Sequence, residues 1–188
     1  MNFKNFFTVL CVFLGILGSQ TGAMEQKDPK NLIPELETVP FEQERDIADI
    51  SQIFKGDWQR LEANRPFNQD LINVLLEPWK GDANISKWAM VLRHQGKTIA
   101  FVTYYYRTAE KWGSFEVGGI APEYRGKGLA GYYFPLIIKE LQEKGANKIL
   151  LYVKKDNDVA LSLYKKFGFG QPEDAFRGKA WLLTKNLE

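Results

Sequence analysis

The sequence predicts an α/β (α+β) domain built on a mixed central β-sheet with helices on both faces. Three observations carry that prediction. Trp88–His94 and Thr98–Tyr106 are rich in aromatic and branched residues, and Gln95-Gly96-Lys97 between them makes an antiparallel hairpin. A strand, a helix and a strand then follow from Trp112 onward, a βαβ unit whose crossover makes its two strands parallel and right-handed. Ile149-Leu150-Leu151-Tyr152-Val153 is continuously apolar, as a strand covered on both faces should be.

Taken in order, Met1–Ala23 reads as a secretory signal peptide or N-terminal anchor. Lys4 gives a weak positive start, Phe6–Leu17 is almost unbroken apolar, and Thr21-Gly22-Ala23 offers small residues for cleavage after Ala23. The apolar run is shorter than the roughly 20 residues a membrane span needs. Cleavage implies an exported protein, periplasmic or secreted, with no stable membrane span. Retention implies a cytosol-facing anchor, and a true start at Met24 a cytoplasmic chain. Residues 24–40, with Pro29, Pro34 and Pro40 among charges, read as a linker ending in a poorly marked strand, and 41–188 as the domain.

Ile47, Ile50, Phe54, Trp58 and Leu61 fall at helical spacing with Asp46 as a cap, and Asn68–Leu76 reads as a shorter helix halted by Pro78. After the hairpin come a strand at Trp112–Ile120, a helix at Gly128–Lys144, a strand at Lys148–Val153, a helix at Asn157–Phe167 and a strand at Ala180–Lys185. Leu129, Tyr133, Leu136, Ile137 and Leu141 form the buried stripe of the longer helix. Pro135 inside it removes a hydrogen bond and should kink it.

Composition narrows the chemistry. The chain has 188 residues, 45% of them apolar, and a formal net charge of +2, which gives no support to a nucleic-acid partner. One cysteine, Cys11, and one histidine, His94, exclude Cys/His metal sites, a Cys/His nucleophile pair and an internal disulfide. No metal is expected. His94 reads as a surface residue at a strand end.

Arg125-Gly126-Lys127-Gly128-Leu129-Ala130 stands between a strand and an amphipathic helix. Free N–H groups at a helix start bind anions, and glycine lets a phosphate approach the backbone closely. The spacing matches neither the P-loop nor the dinucleotide fingerprint. As local structure alone it is a glycine turn opening a surface helix. Downstream, Asp156 or Asn157 caps the next helix, Ala160, Leu163, Tyr164 and Phe167 pack inward, and Gly168 ends it with Phe169 folding back. Local structure accounts for every one of those residues too.

The two blocks in this order and spacing resemble the GNAT family of acyl-CoA-dependent N-acetyltransferases, with Arg125, Gly128 and Ala130 on its Arg/Gln-x-x-Gly-x-Gly/Ala pattern. The likeness covers Trp88–Leu187 well and Phe41–Pro78 loosely. It implies that acetyl-CoA is the acyl donor, its pyrophosphate gripped by the backbone of Arg125, Gly126, Lys127, Gly128, Leu129 and Ala130. It further implies that Asn157 contacts the pantetheine arm and that Tyr164 lies near the thioester sulfur as a catalytic acid.

The strand at Trp112–Ile120 completes the set. Alternation places Ser114, Glu116 and Gly118 on one face, and Gly118-Gly119 signals a bulge or a close backbone approach. By resemblance, Glu116 is the base and an N–H near Gly119 or Ile120 polarises the thioester carbonyl. An exposed strand carboxylate fits Glu116 equally. Tyr104-Tyr105-Tyr106, Trp58 and Trp79 line an acceptor pocket or belong to the core or the sheet surface. The acceptor implied is an amine of a small molecule, peptide or protein. Its identity is set in this family by the N-terminal helices and the loop near Gln171–Lys179. A non-catalytic CoA-binding or protein-interaction module of the same fold is the alternative, and the oligomeric state is left open.

Overall fold

The computed structural model describes residues 33–61, 72, 76–77 and 81–187. The expected signal, most of the linker and most of the short helix at 68–76 lie outside the described residues, as do the side chains of Trp58 and Trp79. Strands are β1 (Glu37–Pro40), β2 (Ile85–His94), β3 (Lys97–Arg107), β4 (Trp112–Ile120), β5 (Lys148–Lys154), β6 (Glu173–Ala175) and β7 (Ala180–Asn186). Helices are α1 (Gln43–Leu61), α2 (Leu129–Glu143) and α3 (Asp158–Lys166). The sheet order is β1-β2-β3-β4-β5-β7-β6. Among the described residues only β4 and β5 pair in parallel, so the sheet is mixed as expected.

The β2–β3 turn is tighter than the expected three residues. His94 pairs with Lys97, leaving Gln95 (φ 51°) and Gly96 (φ 76°) as a two-residue loop with both φ values positive, which suits the twist of the flanking strands. β6 has no strand signature in the sequence: it is three residues long and reads Glu-Asp-Ala. It forms at the sheet's edge by pairing with β7.

Two cores lie on the two faces. On one, Phe115 of β4 stacks on Phe134 of α2 with ring centroids 4.3 Å apart, and Phe134 meets Phe167 at 5.2 Å. On the other, Ile50, Ile53 and Phe54 of α1 pack with Val91, Phe101 and Val117, joined by Ile72 and Leu76. The buried stripe of α2 includes Ala130 and Phe134, while Leu136 is exposed. At 3.6 residues per turn Leu136 falls about 100° from the centre of that stripe. The helix continues through Pro135 to Glu143.

Asp46 does not cap α1, which starts at Gln43. It is fully buried, and its carboxylate accepts from Arg93 Nε (2.9 Å) and Nη2 (2.7 Å), the Thr98 hydroxyl (2.6 Å) and the Glu42 N–H (2.7 Å). Thr98 N–H also donates to Asp49 at 2.9 Å. The first turn of α1 is thereby fastened to the end of the β2–β3 hairpin. Burial alone would raise the Asp46 carboxyl, but the bonds from Arg93, Thr98 and Glu42 outweigh it and hold the group below the usual carboxylate value.

Candidate active site

The site is built on the far half of β4. Thr103 pairs with Val117 and Tyr104 with Phe115, so Glu116 is an extra residue that the register with β3 skips. That is a β-bulge, and it reverses the alternation of side chains beyond it. Before it, Gly113 and Phe115 face α2: a Cβ on Gly113 would lie 2.7 Å from Leu141 Cδ1. After it, Val117 and Gly119 face α1: a Cβ on Gly119 would lie 2.7 Å from Ile53 Cγ2 and 3.0 Å from Phe101 Cε1. Ser114 and Gly118 therefore sit on opposite faces, contrary to simple alternation. Of the bulge or close approach expected at Gly118-Gly119, the bulge falls at Glu116 instead, since both glycines pair in register with Val102 and Phe101. Gly119 is explained by the close approach of α1.

Glu116 is not an exposed strand carboxylate. Its side chain is 12% exposed, and Oε2 lies 2.6 Å from Lys87 Nζ, whose own side chain is 3% exposed. The Thr103 hydroxyl donates to the same oxygen at 3.2 Å. Nothing in the sequence marked Lys87 or Thr103, because strand register alone brings them under the bulge.

β4 and β5 pair only at Trp112–Ser114 with Lys148–Leu150. Beyond that β4 continues beside β3, and β5 beside β7, so the two strands part toward their carboxyl ends. A crevice at the carboxyl ends of parallel strands is where open α/β sheets bind ligands. Ala121 N–H donates to Ile99 O on β3 at 2.8 Å. In an antiparallel ladder neighbouring residues alternate, so the N–H and C=O of Ile120 point the other way, into the gap left by β5. Gly119, one residue back, points at β3. Of the two expected carbonyl-polarising donors, Ile120 alone faces the cleft.

The loop follows directly. Pro122–Tyr124 make one turn of 3-10 helix, and Arg125 Nε donates to Ile120 O at 2.9 Å, bracing the end of β4. Gly126 (φ 75°) and Gly128 (φ 77°) adopt left-handed conformations, and a Cβ on either would meet nothing within 4 Å. The space above both is open. Gly128 is the N-cap of α2, with no capping side chain and no acid in the first turn. Leu129 and Ala130 bury their side chains in the core, which fixes the first turn, whose amides point back along the helix axis toward the loop. The Lys127 ammonium sits 4.9 Å from the centre of the Tyr124 ring. The Tyr124 hydroxyl lies 2.9 Å from His94 Nδ1. His94 is thus half-buried against the loop's preceding turn and is not a plain surface residue.

At the end of β5, Asn157 rather than Asp156 caps α3, with Oδ1 accepting Ala160 N–H at 3.1 Å. Its Nδ2 is buried with no hydrogen-bond partner, a polar atom suited to a ligand carbonyl. Tyr164 is fully buried, its ring 5.6 Å from Phe134 and 5.7 Å from Phe169. Tyr104 is buried and donates its hydroxyl to Glu140 at 2.6 Å, so it belongs to the core beneath α2 and not to an acceptor pocket. An open glycine cradle, an uncapped helix N-terminus, an outward backbone edge and a buried amide donor fit a diphosphate attached to an extended amide-bearing arm.

The sequence profile described as the Acetyltransferase (GNAT) family matches residues 47–169. The chain belongs to the GNAT family. Mycothiol acetyltransferase of Corynebacterium aurimucosum is 34% identical over 84 residues, covering 43% of this chain and 28% of that protein. The enzyme of the same name from Paenarthrobacter aurescens is 42% identical over 57 residues, 30% of this chain and 18% of the other. The chain spans less than a third of the length of these relatives. Among solved structures, the PaiA N-acetyltransferase of Thermoplasma acidophilum in complex with coenzyme A aligns with TM-score 0.64 at 19% identity, covering 81% of this chain and 99% of that one. The ribosomal-protein-S18-alanine N-acetyltransferase of Escherichia coli aligns at 0.56 and 17% identity, covering 79% and 90%. At those identities the likeness establishes the fold alone.

Proposed function

We propose that the protein is an N-acetyltransferase that moves an acetyl group from acetyl-CoA directly to a primary amine. The observation that carries this is the parting of β4 and β5 with the open glycine loop and Asn157 at its mouth. In this reading the amides of Arg125–Ala130 hold the pyrophosphate, helped by the helix dipole, and Asn157 Nδ2 donates to a pantetheine carbonyl. The Ile120 N–H donates to the thioester oxygen, where negative charge grows during attack.

Glu116 takes the proton released by the amine, directly or through a water. A C–N bond forms, the C–S bond breaks, and the CoA thiolate leaves. A phenol titrates near ~10 and a thiol near ~8.5, so Tyr164 aids departure by a hydrogen bond to sulfur more than by full proton transfer. The acceptor is an amine of a small molecule, a peptide or a protein. Related folds named for spermidine and for a ribosomal-protein alanine span that range. Met1–Ala23 directs export or anchors the chain, unless the true start is Met24 and the chain cytoplasmic; mass spectrometry of the native N-terminus tests cleavage, since retention of Met1 excludes it.

Calorimetry of acetyl-CoA binding to the full chain tests the reading, beside Gly128→Glu, which puts a carboxylate in the cradle. Binding by the wild type and none by the variant is expected. CoA release is then followed with a panel of spermidine, free lysine and alanine-initiated peptides. Binding without turnover on any amine would leave the non-catalytic CoA module. No binding by folded wild type overturns the reading.

A further inference from the structure

Lys87 pairs with Tyr105 in the β2–β3 ladder. Its side chain is withdrawn from solvent, and its ammonium is 2.6 Å from Glu116 Oε2. An ammonium leaves water at that depth only against a compensating charge. The carboxylate it meets belongs to the β4 residue that is skipped in the register with β3. A bulge residue is not oriented by a ladder, and a glutamate side chain adds three rotatable bonds. Lys87 from β2 and the Thr103 hydroxyl from β3 constrain it here, and both act on the same oxygen.

We propose that Lys87 is a positioning residue for acetyl transfer, fixing Glu116 by Oε2 so that the carboxylate is oriented before the amine arrives. The proposal rests on the reading of Glu116 as proton acceptor. A base must lie within hydrogen-bond reach of the proton it takes, and a misplacement on the order of 1 Å costs roughly 100-fold in rate. Lys87 stands on β2, two strands from β4 and the loop that follows it, so its effect belongs in turnover and not in donor binding.

The test uses the full chain with Lys87→Met, Lys87→Arg, Glu116→Gln and the Lys87→Met/Glu116→Gln pair. CoA release is measured with acetyl-CoA and the panel amine that turns over fastest, and acetyl-CoA affinity by calorimetry. Lys87→Met is expected to lower kcat by about 10- to 100-fold with acetyl-CoA affinity unchanged, and Lys87→Arg to recover part of the loss. Glu116→Gln is expected to lose about 100- to 10,000-fold. The double variant should match Glu116→Gln to within about twofold, because Lys87 has nothing left to position. Should Lys87→Met not fold, the double variant, which leaves no unpaired charge, and Lys87→Arg still decide.

A double variant slower than Glu116→Gln by more than about twofold overturns the proposal, as does Lys87→Met with wild-type kcat beside an inactive Glu116→Gln. Wild-type kcat in Glu116→Gln, or no turnover by wild type on any panel amine, overturns the reading of Glu116 itself and the proposal with it.

Discussion

Glycine does opposite jobs at two positions of this site. At Gly119 the backbone conformation is ordinary and the space is full, with Ile53 and Phe101 already in contact range of a Cβ. At Gly128 the space is open and the conformation is left-handed. Gly119→Ala should therefore destabilise by about 1–3 kcal/mol through overpacking, seen in urea denaturation, as α1 is pushed from β4. Gly128→Ala should cost roughly 1–2 kcal/mol through the backbone alone, and Gly128→Asn less, since asparagine tolerates that conformation. An equal loss for alanine and asparagine at 128 would mean that side-chain bulk, not φ, is limiting there.

Those positions also mark what single residues disclosed in advance. Gly118-Gly119 signalled a bulge or a close approach, and the structure uses the second. The bulge at Glu116 leaves no trace in composition, because it arises from how β3 and β4 register. Asn157 as a cap and Gly168 as a helix stop were readable, since each acts on its own neighbours: Gly168 has φ 76°, and Phe169 N–H returns to Tyr164 O at 3.1 Å. Lys87, Thr103 and Tyr124 were not readable as site residues, because their partners are set by the sheet.

At the scale of elements, α1 is tied to the β2–β3 hairpin by the Asp46–Arg93–Thr98 network. Its charged partners are 47 residues apart, so an acid at a helix start read as a cap. Both charges are almost wholly buried, so removing one leaves the other uncompensated. Arg93→Met should cost roughly 3–5 kcal/mol, and a paired Asp46→Leu/Arg93→Met change distinctly less than the single one. The network also gives a pH dependence. In the unfolded chain Asp46 titrates near ~3.9, and in the folded chain lower. Between those values the unfolded state binds the extra proton, so the contribution is complete above the unfolded value and is lost as pH falls through the folded one. Urea denaturation of wild type and Asp46→Asn should differ most at neutral pH and converge in strong acid. A constant difference down to the lowest pH at which the fold survives would contradict the depressed carboxyl.

For the molecule as a whole, the cleft is a place where the sheet stops hydrogen-bonding to itself. The strand–helix–strand order made β4 and β5 parallel neighbours in the sequence reading, and they are, but for three residue pairs only. No pattern of apolar residues encodes that separation: β5 is as apolar where it has left β4 as where it pairs with it. The consequence is measurable at single amides. Gly119 N–H belongs to the β3 ladder, whereas Ile120 N–H points into the gap, so hydrogen exchange should be slow at the first and fast at the second in the free protein. Acetyl-CoA at about 100 times its Kd should slow exchange at Ile120 markedly, while fold-wide protection rises by no more than about 2.7 kcal/mol. Slowing at Gly119 and Ile149 by the same factor as at Ile120 would mean that the ligand acts only through global stability. Slowing confined to Ile120 and the amides of Gly126–Ala130 would mean that the edge β5 abandons is the edge on which the donor is held.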